Sequence, residues 1–293
     1  MRDYALGMYE KAMPDTMPLP KKIEAAKACG FDALELCVDG NAERAKRLDW
    51  EEHRIRELRQ IAEAQEIPLT TLSLSLLRKY PLGHPDEERN RQAFVIVEKA
   101  CRLAVGLGSR IMLINGYDVY DEESTPETRA RFYRNLQKVL QICARYGVFV
   151  GIENAEKAFC SRIKDAVAIC EKVPSPYLAV YGDIGNATIA ADGDVSRAQQ
   201  DILSGTGYLT SLHLKDGVPG EYRYHAIGDG MVDFSQCLQA AKQANVHLFT
   251  AEIFCNPEED YIAHATKVAR FLRRELDAVY FPLERKDEKH EED

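Results

Sequence analysis

The sequence of 293 residues lacks several features that would place it in other classes of protein. It has no apolar run of ten residues, and its N-terminus has no charged segment followed by an apolar one. We therefore expect neither a membrane span nor a secretory signal. It also lacks a basic stripe: 47 acidic residues against 38 basic ones give a net charge of −9. Because nucleic-acid binding needs a concentrated basic face, we expect no nucleic acid among the partners. The cysteine pattern described next predicts a reduced, cytoplasmic protein.

No pair of cysteines has the CxxC spacing, although the chain contains eight cysteines. Most of them fall in segments with strand or helix patterns, where a free cysteine behaves as a small hydrophobic residue. An oxidised framework is compatible with the even number alone. A reduced protein with structural thiols is nevertheless favoured over both disulfides and thiolate zinc ligands.

Short apolar runs recur at regular intervals and predict eight β-strands, at 4–8, 33–38, 67–75, 109–115, 148–152, 178–182, 209–212 and 247–251. Helical periodicity fills the intervals, for example over 89–107 and over 126–147, which starts after Thr125-Pro126 and stops at Gly147. Eight alternations without a linker predict one α/β domain, a single (β/α)₈ TIM barrel over 1–283. We expect the charged segment 284–293 to be a disordered tail.

A doubly wound sheet is the alternative fold for this alternation of strands and helices. That fold usually carries a glycine-rich phosphate turn after its first strand. Here the corresponding sequence, YEKAMPDTMP at 9–18, contains no glycine. The barrel is therefore favoured.

Four polar residues, Glu153, Asp183, His213 and Glu252, directly follow the last four predicted strands. The carboxyl ends of parallel strands share one face of a barrel, so we expect these side chains to converge. Three carboxylates and one imidazole suit a divalent ion such as Mn²⁺, Zn²⁺, Co²⁺ or Mg²⁺. A single acid of this kind is more often a helix cap or an ion-pair member, but burying three carboxylates without a cation is costly.

This set predicts a metal-dependent enzyme. A metal that chelates a ketone and the neighbouring hydroxyl group acidifies the carbon between them. The two glutamates, Glu153 and Glu252, come from strands three apart and could flank a ligand. If one removes a proton and the other returns one to the opposite face, a stereocentre is inverted.

The same rule on strand ends selects candidate substrate-binding residues, which are Lys11, Arg78, Lys79, Asn115, Asn154, Asn186, Lys215 and Asp216. Arg78 and Lys79 could hold a phosphate or form a solvated basic pair, and the pattern alone favours neither. Lys215 lies two residues beyond His213 and should point to the same side of the strand. Asp233, after Gly228-Asp229-Gly230, is expected to cap a helix that follows a tight turn.

Several motifs resemble those of the xylose-isomerase-like barrels, and within them the bacterial L-xylulose-5-phosphate or L-ribulose-5-phosphate 3-epimerases, also labelled hexulose-6-phosphate isomerases. The resemblance runs from about residue 5 to about residue 275. Its carriers are LGMYEKAMP at 6–14, RLDW at 47–50, RKYPLG at 78–83, NGYDVYDEE at 115–123, GIEN at 151–154, YGDIGN at 181–186, HLKD at 213–216, IGDGMVDF at 227–234 and AEIF at 251–254.

The resemblance implies one divalent metal held by Glu153, Asp183, His213 and Glu252, with the two glutamates as the acid–base pair for epimerisation at C3 through an enediolate. It also implies a sugar phosphate as substrate, a role in pentose catabolism and a homodimer. Arg78 and Lys79 fall on the basic pair of the family. The chain departs from the pattern at Leu77, where a polar residue is expected. Asn186 and Lys215 replace a histidine and an arginine of the non-phosphorylated ketose 3-epimerases.

Other activities on the same barrel remain open at this point. An aldose–ketose isomerase, an unphosphorylated ketose 3-epimerase and a dehydratase all start with the same proton abstraction. A DNA repair nuclease would need more histidine ligands and a basic groove, which the seven histidines and the acidic balance disfavour. A non-catalytic sugar-binding barrel would be favoured if one glutamate did not reach the substrate.

Overall fold

The computed structural model describes residues 2–223 and 225–281, and these form a closed barrel of eight parallel strands. Each strand pairs with the next along the chain, and β8 closes the barrel on β1. The predicted (β/α)₈ barrel is therefore confirmed. The strands are β1 (Ala5–Tyr9), β2 (Ala33–Cys37), β3 (Leu69–Ser73), β4 (Ile111–Asn115), β5 (Phe149–Glu153), β6 (Leu178–Asp183), β7 (Leu209–Leu214) and β8 (Leu248–Ala251).

Helices connect the strands and cover the outside of the barrel. They are α1 (Leu19–Cys29), α2 (Ala42–Ala45), α3 (Glu52–Ala64), α4 (Glu87–Leu107), α5 (Pro126–Tyr146), α6 (Ile163–Lys172), α7 (Ile184–Ala190), α8 (Val195–Ser204), α9 (Phe234–Gln243) and α10 (Tyr261–Tyr280). Short 3₁₀ turns at Glu10–Ala12, Lys46–Asp49 and Ser75–Arg78 lie in the strand-to-helix connections. Among the described helices, none combines the length and the apolar character needed to cross a membrane.

The ends of several helices follow from local sequence chemistry. The Thr125 hydroxyl accepts the Thr128 amide at the start of α5, and Gly147 ends that helix in the left-handed conformation with φ 64°. The Asp233 carboxylate caps α9 by accepting the Gln236 amide. These are the start and stop positions that the sequence predicts.

Each predicted strand overlaps an observed one, but the site residues lie differently at the strand ends. Glu153 and Asp183 are the last residues of β5 and β6, and His213 lies inside β7. Only Glu252 follows its strand. The predicted strands stop too early because parallel pairing continues through the polar residues, with Asn115 opposite Glu153 and Asp183 opposite His213.

The barrel interior contains a layer of polar side chains just below the carboxyl ends of the strands. It consists of Glu35, Thr71, Tyr181, Ser211 and Thr250, all with no measurable exposure. Hydrogen bonds cross the barrel inside this layer, from the Tyr181 hydroxyl to Glu35 at 2.8 Å and between Tyr181 and Thr250 at 3.0 Å. Because side chains alternate along a strand, the residues two positions later also face inward. For β6, β7 and β8 these are Asp183, His213 and Glu252.

Gly151 in β5 makes room for the Tyr181 ring in this layer. A Cβ atom built on Gly151 would lie 2.8 Å from the Cβ of Tyr181, which is closer than such atoms come in real structures. Gly151 therefore allows β5 to pack closely against Tyr181 in the barrel interior. The charged segment 284–293 and residues 282–283 lie outside the described residues.

Candidate active site at the carboxyl end of the barrel

The four predicted metal ligands converge where the strands end. One ligand atom from each of Glu153, Asp183, His213 and Glu252 can be chosen so that all four lie within 4.8 Å of one another. The Nδ1 atom of His213 lies 2.7 Å from Glu153 Oε1 and 3.8 Å from Glu252 Oε2. Oxygen and imidazole donors at this spacing can surround a divalent ion.

The polar atoms of this cluster fit a cation. Asp183 Oδ2 and Glu252 Oε2 are buried and have no hydrogen-bond partner among the described residues. The Lys215 ammonium lies 2.7 and 2.9 Å from these two oxygens as an ion pair. Buried carboxylate oxygens normally have hydrogen bonds or a metal, and here the ammonium neutralises two oxygens that a divalent cation could also bind.

Electrostatics in the cluster are dominated by crowded carboxylates. Burial raises the pKa of Asp183 to about 7, with the Lys215 ammonium opposing the shift and the Glu252 carboxylate adding to it. Burial alone would lower the pKa of His213, but the carboxylates of Glu35 and Glu252 raise it well above its usual value. A divalent cation would relieve this repulsion between like charges.

The other nitrogen of the histidine ring points away from the cluster. Nε2 lies 2.9 Å from an oxygen of Glu35, which comes from β2 on the other side of the barrel. The strand-end rule did not select Glu35 because this residue lies inside its strand. The only signal in the sequence was an acid in the otherwise apolar run ALELC, where both faces should be buried.

Five of the eight predicted substrate-binding residues line the cavity beside the metal cluster, namely Lys11, Arg78, Asn115, Asn186 and Lys215. Three atoms in this cavity, Arg78 Nε, Asn115 Oδ1 and Asn186 Oδ1, are buried without a hydrogen-bond partner in the described part of the chain. Such groups are complementary to a polar ligand. The Asn115 amide also donates to Glu153 Oε2.

Arg78 stands out among the cations of the cavity. Its guanidinium lies 5.5 Å from the centre of the Tyr117 ring and 5.3 Å from that of Tyr120. Within residues 2–223 and 225–281, no carboxylate comes close enough to form an ion pair with it, whereas Lys11 pairs with Asp39 at 2.7 Å. Arg78 can therefore accept an anionic group of a ligand without breaking an ion pair.

The other three predicted residues do not line this cavity. Lys79 is exposed, and its ammonium is 3.3 Å from the carbonyl oxygen of Gly40. The Asn154 side chain binds the backbone of Asp183, accepting its N–H at 2.7 Å and donating to its carbonyl at 3.0 Å. Asn154 therefore positions a metal-ligand strand, which is a different role from the predicted substrate contact.

Asp216 is a structural residue of the loop between β7 and α9. Its two carboxylate oxygens accept the backbone N–H groups of Gly217, Gly228, Gly230 and Val232 at 2.9 to 3.1 Å. It was predicted to bind substrate because it is close to His213 in sequence. Alternation along the chain, however, sends Lys215 into the cavity and Asp216 into the loop.

Sequence reasoning missed further residues that line the cavity, namely Tyr9, Ser73, Ser75, Ala155, Glu156, Tyr222, Arg223 and Phe254. Tyr9 and Ser73 end β1 and β3, so the strand-end rule could have found them. Tyr222 and Arg223 lie far along the loop that Asp216 organises. No local pattern marks such residues, because the folding of the loop brings them to the cavity.

Comparison with known proteins agrees with this architecture. The family described as the xylose isomerase-like TIM barrel matches residues 23–274. L-ribulose-5-phosphate 3-epimerase UlaE of Escherichia coli O157:H7 (strain EC4115 / EHEC) is 32% identical over 273 residues, which cover 92% of this chain and 94% of the relative.

Two solved structures show the same fold. The D-psicose 3-epimerase of Clostridium cellulolyticum H10, in a structure with D-tagatose, has a TM-score of 0.78 and 16% identity, covering 93% of this chain and 99% of that one. The 3-keto-D-glucoside 4-epimerase YcjR of E. coli has a TM-score of 0.71 and 19% identity, covering 92% and 99%.

The barrel and the polar cluster at its carboxyl end define a TIM-barrel enzyme. The chain belongs to the xylose isomerase-like TIM barrel family. Since the named relative is an epimerase, the predicted isomerase class is confirmed.

We expect Asp216→Asn to loosen the β7–α9 loop. An amide has one acceptor oxygen, so part of the set of four backbone donors would lose its partner, at a cost of about 1–3 kcal/mol. Faster trypsin cleavage after Arg223 and a lower melting temperature are the expected results. Asp233→Asn is the matched control, because asparagine caps a helix as well as aspartate. Equal cleavage rates in both variants and the wild type would contradict the role of Asp216.

Proposed function

We propose that the protein is a metal-dependent 3-epimerase that interconverts L-xylulose 5-phosphate and L-ribulose 5-phosphate. The main support for this reaction is the cluster of Glu153, Asp183, His213 and Glu252, whose ligand atoms lie within 4.8 Å of one another. The curated relatives named L-ribulose-5-phosphate 3-epimerase support the choice of substrate.

In this proposal the four clustered residues hold one divalent ion, for which Mn²⁺, Zn²⁺, Co²⁺ and Mg²⁺ all suit the donor set. When bound, the metal polarises the ketone and the adjacent hydroxyl group of the sugar, which makes the hydrogen on C3 acidic. Asp183 Oδ2 and Glu252 Oε2, which pair with the Lys215 ammonium, are two of the oxygens that would bind it.

The two glutamates would exchange the proton on C3. Glu153 ends β5 and Glu252 follows β8, so they approach a ligand in the cavity from different sides. One carboxylate takes the proton and leaves an enediolate, and the other, initially protonated, delivers its proton to the opposite face. Asn115 donates to Glu153 and Lys215 pairs with Glu252, which would hold both acids in orientation.

Arg78 would bind the phosphate end of the sugar, since it is a cation in the cavity without an ion-pair partner among the described residues. A phosphate held at a fixed point decides which carbon lies between the two glutamates. Lys11, Asn186 and Lys215 would contact the polar groups of the sugar nearer the metal.

The test of this function is proton NMR of L-ribulose 5-phosphate with the enzyme and Mn²⁺ in D₂O. We expect deuterium to enter at C3 while L-xylulose 5-phosphate appears, because the returned proton comes from a carboxyl group in exchange with solvent. Exchange at C1 would contradict the proposal and indicate an aldose–ketose isomerase. Faster C3 exchange in unphosphorylated L-ribulose would instead indicate a free ketose as substrate.

Glu153→Gln should abolish turnover and weaken metal binding, because the amide can neither take a proton nor supply an anionic ligand. The measurements are epimerisation rate and Mn²⁺ affinity by isothermal titration. Glu63→Gln removes an exposed carboxylate on α3 and should leave both quantities unchanged. Full activity in Glu153→Gln would exclude this residue as an acid or base.

Arg78→Ala should raise KM for the phosphorylated ketose about 10- to 100-fold, the range expected for a lost hydrogen bond to a charged group. KM for the unphosphorylated sugar should change little. Lys79→Ala is the matched control, since it removes the neighbouring cation, which does not line the cavity. Equal effects of Arg78→Ala on the two sugars would remove this residue from the phosphate site.

A further inference from the structure

We propose that Glu35 is a positioning residue of the metal centre, which fixes the tautomer and the ring orientation of His213 so that Nδ1 faces the metal. This inference rests on the metal site of the proposed function. Glu35 lies on β2, away from the four strands that carry the predicted ligands, and has no measurable exposure.

Glu35 receives three hydrogen bonds inside the barrel. One carboxylate oxygen is 2.9 Å from His213 Nε2. The other accepts the Tyr181 hydroxyl at 2.8 Å and the Thr71 hydroxyl. Since both hydroxyl groups approach the same oxygen, the second oxygen is left for the imidazole.

An ionised carboxylate can only accept hydrogen bonds, so the nitrogen facing Glu35 must carry a hydrogen. In a neutral imidazole with hydrogen on Nε2, the lone pair is on Nδ1. Nδ1 lies 2.7 Å from Glu153 Oε1 in the ligand cluster, so without a metal it also carries a hydrogen, and a bound cation would take the place of that hydrogen. The hydrogen bond to Glu35 thus selects the tautomer that can bind a metal at the predicted position.

Packing also holds the His213 ring in the orientation that points Nε2 towards Glu35. The Tyr181 ring lies edge-on to the imidazole, with 4.8 Å between ring centroids, and the Tyr9 ring lies at 6.0 Å. A rotation of the His213 ring that exchanged its nitrogens would turn Nε2 away from Glu35. It would leave a buried charge with fewer donors, which is unfavourable.

Glu35 could instead be only a member of a polar core network, with no effect on metal binding. The two roles differ in one measurable quantity. A core residue changes the stability of the fold, whereas a positioning residue changes the affinity of the folded protein for the metal.

The experiment is titration of the metal-free full chain with Co²⁺, followed by the visible absorption of the bound ion, with melting temperatures measured in parallel. We expect Glu35→Gln to weaken Co²⁺ binding about 10- to 100-fold, the range typical of lost outer-sphere partners. The amide is a weaker acceptor, and it can donate to Nε2 and so place the hydrogen on Nδ1.

Tyr280→Phe is the matched control, because it removes one buried hydroxyl hydrogen bond, to the Val246 carbonyl before β8, and touches neither Glu35 nor His213. It should lower the melting temperature and leave Co²⁺ affinity close to that of the wild type. Unchanged affinity in a folded Glu35→Gln variant would overturn the inference, as would equal loss of affinity in both variants.

A second measurement on the unaltered protein decides the question even if Glu35→Gln does not fold. In a Zn²⁺-loaded sample with ¹⁵N-labelled histidine, His213 should have hydrogen on Nε2 and metal on Nδ1. Metal on Nε2, or no histidine bound to the metal, would overturn the inference.

These tests use metal ions without sugar, so they separate the inference from the proposed reaction. A wild-type protein that binds Co²⁺ and depends on Glu35, but shows no exchange at C3, would refute the reaction alone. A Co²⁺ affinity that stays unchanged in Glu35→Gln, or falls equally in both variants, would refute the role of Glu35 and leave the proposed reaction standing. A wild type that does not bind Co²⁺ or Zn²⁺ would overturn both.

Discussion

The arrangement of this barrel depends on balancing negative charge in its interior. Glu153, Asp183 and Glu252 lie close together, with Glu35 at the other nitrogen of the His213 ring, in a region from which water is largely excluded. Coulomb repulsion there is much stronger than at the surface. Lys215 and His213 lie among them and offset part of this charge. A buried set of acids with too few cations favours a divalent ion, so the feature that would destabilise an ordinary core gives this one an affinity for metal.

The fold meets this constraint through the two-residue period of its strands. Along β6 and β8, the inward-facing Tyr181 and Thr250 are hydrogen-bonded across the barrel, and the next inward-facing residue is a candidate ligand. At the end of β5, Asn154 holds the backbone of β6 beside Glu153, and Asn186 donates to the Asn154 carbonyl. The candidate ligands therefore stand on regular strands whose spacing is set by hydrogen bonds, which is the precise support that such a site needs.

The sequence predicted the barrel and the converging acids because both depend on local patterns. Apolar runs mark the strands, and a charged residue where such a run ends marks the face of the barrel on which it lies. The local patterns do not predict a role for Glu35, because its partners are distant in the chain and only closure of the barrel brings them together. These partners are His213, Tyr181 and Thr71. Asp216 was selected because it follows the end of a strand, but its side chain turns into the loop and binds backbone amides there.

The β7–α9 loop has a consequence for how substrate preference can diverge in such proteins. Its anchor is a single carboxylate, Asp216, which accepts hydrogen bonds from backbone amides at both ends of the loop. The stretch between those ends, which carries Tyr222 and Arg223 into the cavity, contributes little to the anchor. Mutations in that stretch can therefore accumulate under selection for a new sugar, while the barrel and the cluster of acids keep the chemistry.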